Sequence, residues 1–123
     1  MEGILLHVLY RGEKAGDFAA EMERSGLRAA VLAEEGCMQY DYYRSFAEEN
    51  CVLLVEHWRD RAALDKHASG EPMARLKALK ASYDLATTAE RFALSALNEE
   101  KRIPSDRRLD RRNAQMKQKG ESC

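Results

Sequence analysis

Three histidines, one tryptophan and a tyrosine-rich stretch are the side chains with the most chemistry to offer. Histidine, with an unperturbed pKa of about 6.5, is suited to act as a base near neutral pH. His67 follows Trp58 by nine positions, enough for a turn and two helical turns to fold it back within reach of the indole. Trp58 offers an apolar wall and one N–H donor. His57 neighbours Trp58 on a strand and so points to the opposite face. His7 is an isolated strand histidine, expected to be partly buried and satisfied. Tyr40 and Tyr42 share a strand face and are candidates to line a pocket. Arg44 is expected to pair with Glu56 across a hairpin. Three scattered histidines and three unpaired cysteines show no zinc-like spacing, and no glycine-rich phosphate loop is present, so neither a metal nor a cofactor is expected.

The elements that must position these groups follow from hydrophobic period. Ile4–Tyr10 is a seven-residue apolar run, strand length, and apolar on both faces. Phe18, Met22, Ala29 and Leu32 space an amphipathic helix from Lys14 to about Glu34, with Gly36 placed for a left-handed cap. Tyr40–Phe46 alternates as a second strand, and Ala47–Asn50 is a polar break of hairpin length. Cys51–Trp58 is a third, largely apolar strand. Asp60 can cap a short helix carrying Ala63, Leu64 and His67. Pro72 suits the first turn of the next helical segment, which continues through Met73, Leu76, Leu79 and Tyr83. Thr87–Leu97 is predicted as a fourth strand.

The order β-α-β-β-α-β predicts an α+β, ferredoxin-like fold with a four-stranded antiparallel sheet and both helical segments on one face. Strands one and three are apolar on both sides, so the other face would expose a large apolar patch. Covering it with a second copy's sheet predicts a two-fold homodimer.

Composition bounds the remaining possibilities. A chain of 123 residues, 45% hydrophobic and 33% charged with a net charge of −1, has room for one globular domain. Residues 1–98 carry 12 Lys/Arg against 16 Asp/Glu, and residues 99–123 carry 8 against 5, a shift that marks a boundary. The expected organisation is a domain over 1–98 and a charged, disordered tail over 99–123. Asp106 and Asp110 interrupt the tail's arginines and it has no aromatic, so no nucleic-acid partner is expected. No stretch approaches the roughly 20 apolar residues of a membrane span, and no secretory signal is evident. Unpaired Cys37, Cys51 and Cys123 suit a reducing, cytoplasmic setting.

Two segments carry a resemblance. EEGCMQYDYYRS (Glu34–Ser45) and VLLVEHWRDRAALDKHASGEPMARL (Val52–Leu76) resemble the antibiotic biosynthesis monooxygenase family, which includes small quinol monooxygenases and other dimeric α+β barrel proteins. The matching positions are Gly36, Cys37, Tyr40, Arg44, Glu56, Trp58, Ala63, Leu64, Asp65 and His67. The chain departs from the family pattern at Glu35, where proline is usual. It departs again at Ser69–Met73, where a second histidine and an aromatic are missing.

The resemblance implies a homodimer that oxidises a small aromatic, a quinol or polycyclic phenol, with O2 and without metal or flavin. His67 and Trp58 are then the expected catalytic residues, and Tyr40, Tyr42 and Leu6 the expected substrate-binding residues. One alternative is a dimer that binds a small molecule without turning it over. The other is a haem-binding or haem-degrading relative. Relatives that degrade haem carry an asparagine near Leu6 and His7 and a ligating histidine late in the second helix. Ala74–Tyr83 contains no histidine.

Overall fold

The computed structural model describes residues 3–97. Its elements are β1 (Ile4–Arg11), α1 (Ala15–Arg24), α2 (Leu27–Leu32), β2 (Cys37–Arg44), β3 (Cys51–Trp58), α3 (Arg61–Ala68), α4 (Glu71–Ala81) and β4 (Ala86–Ala93). The strands form one antiparallel sheet in the order β2-β3-β1-β4. This is the α+β ferredoxin-like arrangement expected from the element order. The tail expected over 99–123 lies outside the described residues.

Period two sorts the central strands into two faces. On β1, Leu6, Val8 and Tyr10 are buried, and on β3 so are Val52, Leu54, Glu56 and Trp58. These residues face the helices and meet Phe18 and Met22 of α1, Leu27 and Val31 of α2, Ala63 and Leu64 of α3, and Leu76 of α4. The other face presents Leu5, His7, Leu9, Leu53, Val55 and His57, all half-buried, with exposed Phe92 and Tyr43 at its sides. His57 thus points away from Trp58, as strand parity requires.

Several boundaries differ from the sequence reading. The helix expected from Lys14 to Glu34 is two helices. Gly26 adopts a left-handed conformation (φ 82°) between them, and the Leu27 amide donates to Ser25 Oγ at 3.3 Å. The break leaves an amphipathic face on both pieces, so periodicity alone does not reveal it. β2 begins at Cys37, three residues earlier than expected, with an irregularity in its pairing between Cys37 and Gln39. It ends at Arg44. β4 is shorter than expected, closing at Ala93.

The expected Arg44–Glu56 pair does not form. Register sets Arg44 opposite Val52, and Glu56 opposite Tyr40.

Two turns fix the geometry around β3. Gly36 (φ 84°) reverses the chain before β2, and the Arg59 amide donates to its carbonyl at 2.7 Å. A Cβ on Gly36 would collide with the Ala63 Cβ. At the other side of Trp58, the Ala63 amide donates to Asp60 Oδ1 at 2.9 Å, which starts α3 as expected. This hydrogen bond, with the Arg59 guanidinium, holds the Asp60 carboxyl below its usual range.

Candidate functional site

Trp58 is the last residue of β3 and is 0% exposed. α3 starts three residues later and turns its inner face back over the indole. Ala63, Leu64 and His67 lie on that face at helical spacing and are all buried. The His67 imidazole therefore stacks on Trp58, with ring centroids 4.6 Å apart and planes at 28°. Sequence spacing alone anticipated this contact. It did not anticipate the depth: His67 is 4% exposed, well inside the fold.

Two carboxylates complete the cluster. Glu34, in the turn after α2, has Oε1 2.6 Å from His67 Nδ1. Pairing with a carboxylate assigns the proton to Nδ1, which donates, and leaves Nε2 as the acceptor. Glu56 lies two residues before Trp58 on the same strand face, where the indole Nε1–H donates to Oε1 at 2.9 Å. Burial pushes the Glu56 carboxyl above its usual range, and chiefly the Trp58 hydrogen bond, with the Arg91 charge further off, opposes the rise.

The predicted lining residues distribute unevenly. Leu6 pairs directly with Glu56 from β1, and Tyr40 pairs with it from β2, so both flank the carboxyl. Tyr40 also sets its ring edge-on to His67, 6.3 Å between centroids. Tyr42 sits one step further out, edge-on to Tyr40 and Phe18, with a buried hydroxyl that has no hydrogen-bond partner among the described residues. Burial raises both phenols far beyond their usual range, so neither serves as a base near neutral pH. Burial likewise pushes the Cys37 thiol up to about 11, which leaves it protonated and a poor nucleophile.

Two cavities bear on these residues. One of about 280 Å³ is lined by Glu34, Glu35, Ala63, Lys66, His67 and Gly70. It meets the Glu34–His67 pair from the outer side. The other, about 680 Å³, is a groove between α1 and the edge strand β2, where Tyr42 meets Gly16, Ala19, Arg28 and Arg44. The larger volume lies away from His67 and Glu56, and Trp58 lines neither.

Sequence reasoning missed Glu34 as the partner of His67. It also gave Glu56 a different role. For Glu56 a signal existed: it is the acidic member of an apolar strand and shares Trp58's parity. For Glu34, a bond spanning 33 positions between a helix-end turn and another helix leaves no local trace.

Fold and site together define a small ferredoxin-like α+β domain with an imidazole held between a carboxylate and an indole. Residues 2–79 match the model of the antibiotic biosynthesis monooxygenase family, and the chain belongs to that family. It is 34% identical over 61 residues to the Bacillus subtilis (strain 168) protein named "Putative monooxygenase YcnE", a match covering 50% of this chain and 62% of that protein. It is 49% identical over 35 residues to the uncharacterised protein sll1783 of Synechocystis sp. (strain ATCC 27184 / PCC 6803 / Kazusa), covering 28% of this chain and 24% of that one. The matches thus span less than two thirds of either relative's length. A solved structure of a conserved protein of unknown function from Bacteroides thetaiotaomicron VPI-5482 superposes with a TM-score of 0.66 at 26% identity, covering 76% of this chain and 98% of the other. No helix among the described residues is long and apolar enough to cross a membrane.

Proposed function

We propose that this chain is a monooxygenase that oxidises a quinol or polycyclic phenol with O2, needing neither metal nor flavin, and works as a cytoplasmic homodimer. The observation that carries this reading is the buried His67, fixed at Nδ1 by Glu34 and held flat by Trp58. A fixed Nδ1–H directs the basic Nε2, and a dry environment strengthens every charge interaction during the reaction.

The chemistry asks little more of the protein. His67 takes the proton of a hydroxyl, and the electron-rich anion passes electrons to O2. The hydroxyl and one ring carbon each lose one hydrogen, and that carbon gains one oxygen atom. The second oxygen atom leaves as water, with all four electrons drawn from the substrate. The apolar outer face of the sheet, with Leu5, Leu9, Leu53 and Val55 half-buried in a lone chain, supports pairing with a second copy. The free thiols of Cys37 and Cys51 suit a reducing compartment.

Oxygen uptake over a panel of quinols and polycyclic phenols tests the reading, with labelled O2 to follow one oxygen atom into product. No uptake above the spontaneous rate across the panel would sink it. One observation favours the second reading, a binding dimer without turnover: Trp58 is wholly buried and lines neither cavity. That reading predicts calorimetric binding of the same compounds with no oxygen consumed.

A further inference from the structure

The helix layer stops one strand short of the sheet. Thr87, Ala89, Arg91 and Ala93 form the helix side of β4, paired with Tyr10, Val8, Leu6 and Ile4, and all four are exposed. The next row inward, on β1, retains a trace of exposure: 6% at Leu6 and at Val8. One strand further in, Glu56 keeps the same 6%, while Leu54 and Trp58 have none. Leu6 and Glu56 thus keep a trace of exposure beside the bare shelf of β4.

Two polar groups face each other across that approach. Leu6 pairs with Arg91 on one side and with Glu56 on the other. Two strand spacings of about 4.8 Å set the Arg91 and Glu56 Cα atoms about 10 Å apart, with both side chains on the helix side of the sheet. Trp58 binds only Oε1 of Glu56, and Oε2 has no hydrogen-bond partner among the described residues. Arg91 makes no ion pair or side-chain hydrogen bond among the described residues. The floor between and beside them is Leu6, Val8, Ala89 and Ala93, apolar and, on β4, small.

We propose that a planar, neutral, hydroxylated aromatic lies on the β4 shelf with its phenolic oxygen between Glu56 and Arg91. This rests on the monooxygenase reading for its chemistry, but its geometry stands apart from turnover. The neutral hydroxyl donates a hydrogen bond to Glu56 Oε2. In the bound complex Glu56 Oε2 takes up that proton, and the Arg91 guanidinium faces and stabilises the anion, which a methoxy ring cannot form. Alanine at 89 and 93 lets a flat ring lie against the strand. An aromatic carboxylate would set a second negative charge beside Glu56 and is disfavoured.

The test is anaerobic calorimetry on the full chain with dihydroxynaphthalene and dimethoxynaphthalene, which share a ring but differ in having a donor. The wild type should bind the dihydroxy compound at least about tenfold more tightly, as a hydrogen bond to a charged group warrants. Arg91→Ala and Glu56→Gln should shrink that preference to about threefold or less. Ala89→Trp, filling the shelf, should weaken both compounds by about tenfold or more. Positions 89 and 91 are exposed, so those two variants decide the matter even where Glu56→Gln fails to fold. A preference unchanged in Arg91→Ala, or affinities unchanged in Ala89→Trp, would overturn the proposal. If the preferences behave as stated while no oxygen is consumed, the shelf stands and the monooxygenase reading falls. Oxygen uptake with an unchanged preference in Arg91→Ala gives the converse.

Discussion

Replacing His67 with alanine separates its chemical role from its structural one. A solvent-exposed helical histidine would be lost with little effect on stability. The structure gives it two anchors instead. The stacked pair with Trp58 contributes about 0.5–1.5 kcal/mol beyond buried area. The hydrogen bond to Glu34 involves a charged acceptor and contributes about 1.5–3 kcal/mol. Glu34 keeps 19% of its side chain exposed and rehydrates in part, which places the sum near 3 kcal/mol. For a domain of this size that lowers Tm by on the order of 15 °C. Below that temperature, loss of the base should reduce kcat/KM for a confirmed substrate about 10²–10⁴-fold. His67→Gln supplies the control. It keeps the volume and a bond to Glu34, so thermal melts should recover most of the lost stability while oxygen uptake stays low. If His67→Gln restores activity along with stability, His67 is a packing residue and the base lies elsewhere.

Other outcomes follow from the same geometry. Gly36→Ala must hold an L-residue at φ 84° and press its Cβ into Ala63, so urea unfolding should show a loss of at least about 2 kcal/mol. Leu53→Asp, on the outer sheet face, should prevent a dimer burying on the order of 2,000 Å², as read by light scattering at low micromolar concentration. A stable, well-folded wild-type monomer there would refute the pairing. Truncation after Asn98 removes a charged segment without apolar periodicity and should cost less than about 2 kcal/mol, with dimerisation unchanged. Glu56 titrates above its unfolded value, so the native state binds more protons than the unfolded one between the two pKa values, and stability falls as pH rises through that window. The stability gap between the wild type and Glu56→Gln should therefore move in favour of the wild type as pH is lowered from 7 toward the unfolded carboxyl value of about 4.3. A gap that does not change with pH would refute the burial argument.

Strand β3 was legible to the residue because an eight-residue apolar run bounded by Asn50 and Asp60 has few alternatives. Its parity also assigned Trp58 and His57 to opposite faces. The α1–α2 break was hidden because Phe18 and Met22, then Leu27 and Val31, each keep an inward stripe on either side of Gly26. The Arg44–Glu56 error came from register. Charges two strands' ends apart attract on paper, but the turn sets Arg44 opposite Val52. The site was half legible for a related reason. Trp58 and His67 are close in sequence, so local spacing reports their contact. Glu34 joins them only through the packing of α2 against α4 and the turn at Gly36, which no local pattern encodes.

Glu56 sharpens what the cluster is for. A small domain has little stability to spare, and a buried carboxyl opposes folding unless something answers its charge. Among the described residues no cation pairs with Glu56 directly: its one hydrogen bond there comes from a neutral indole, and Arg91 is a further strand away. A neutral acceptor would satisfy the Trp58 N–H at lower cost, so indole satisfaction alone does not account for a carboxylate here. His67 is buried as well, paired with a Glu34 that keeps 19% of its side chain exposed. A buried carboxyl and a buried imidazole, both in contact with one indole, are the kind of cluster that functional sites collect. On β4 the sheet runs past the helices, and Arg91 stands exposed. Fold stability thus argues against a carboxylate at position 56, whereas the proposed hydroxyl donor gives that carboxylate a role.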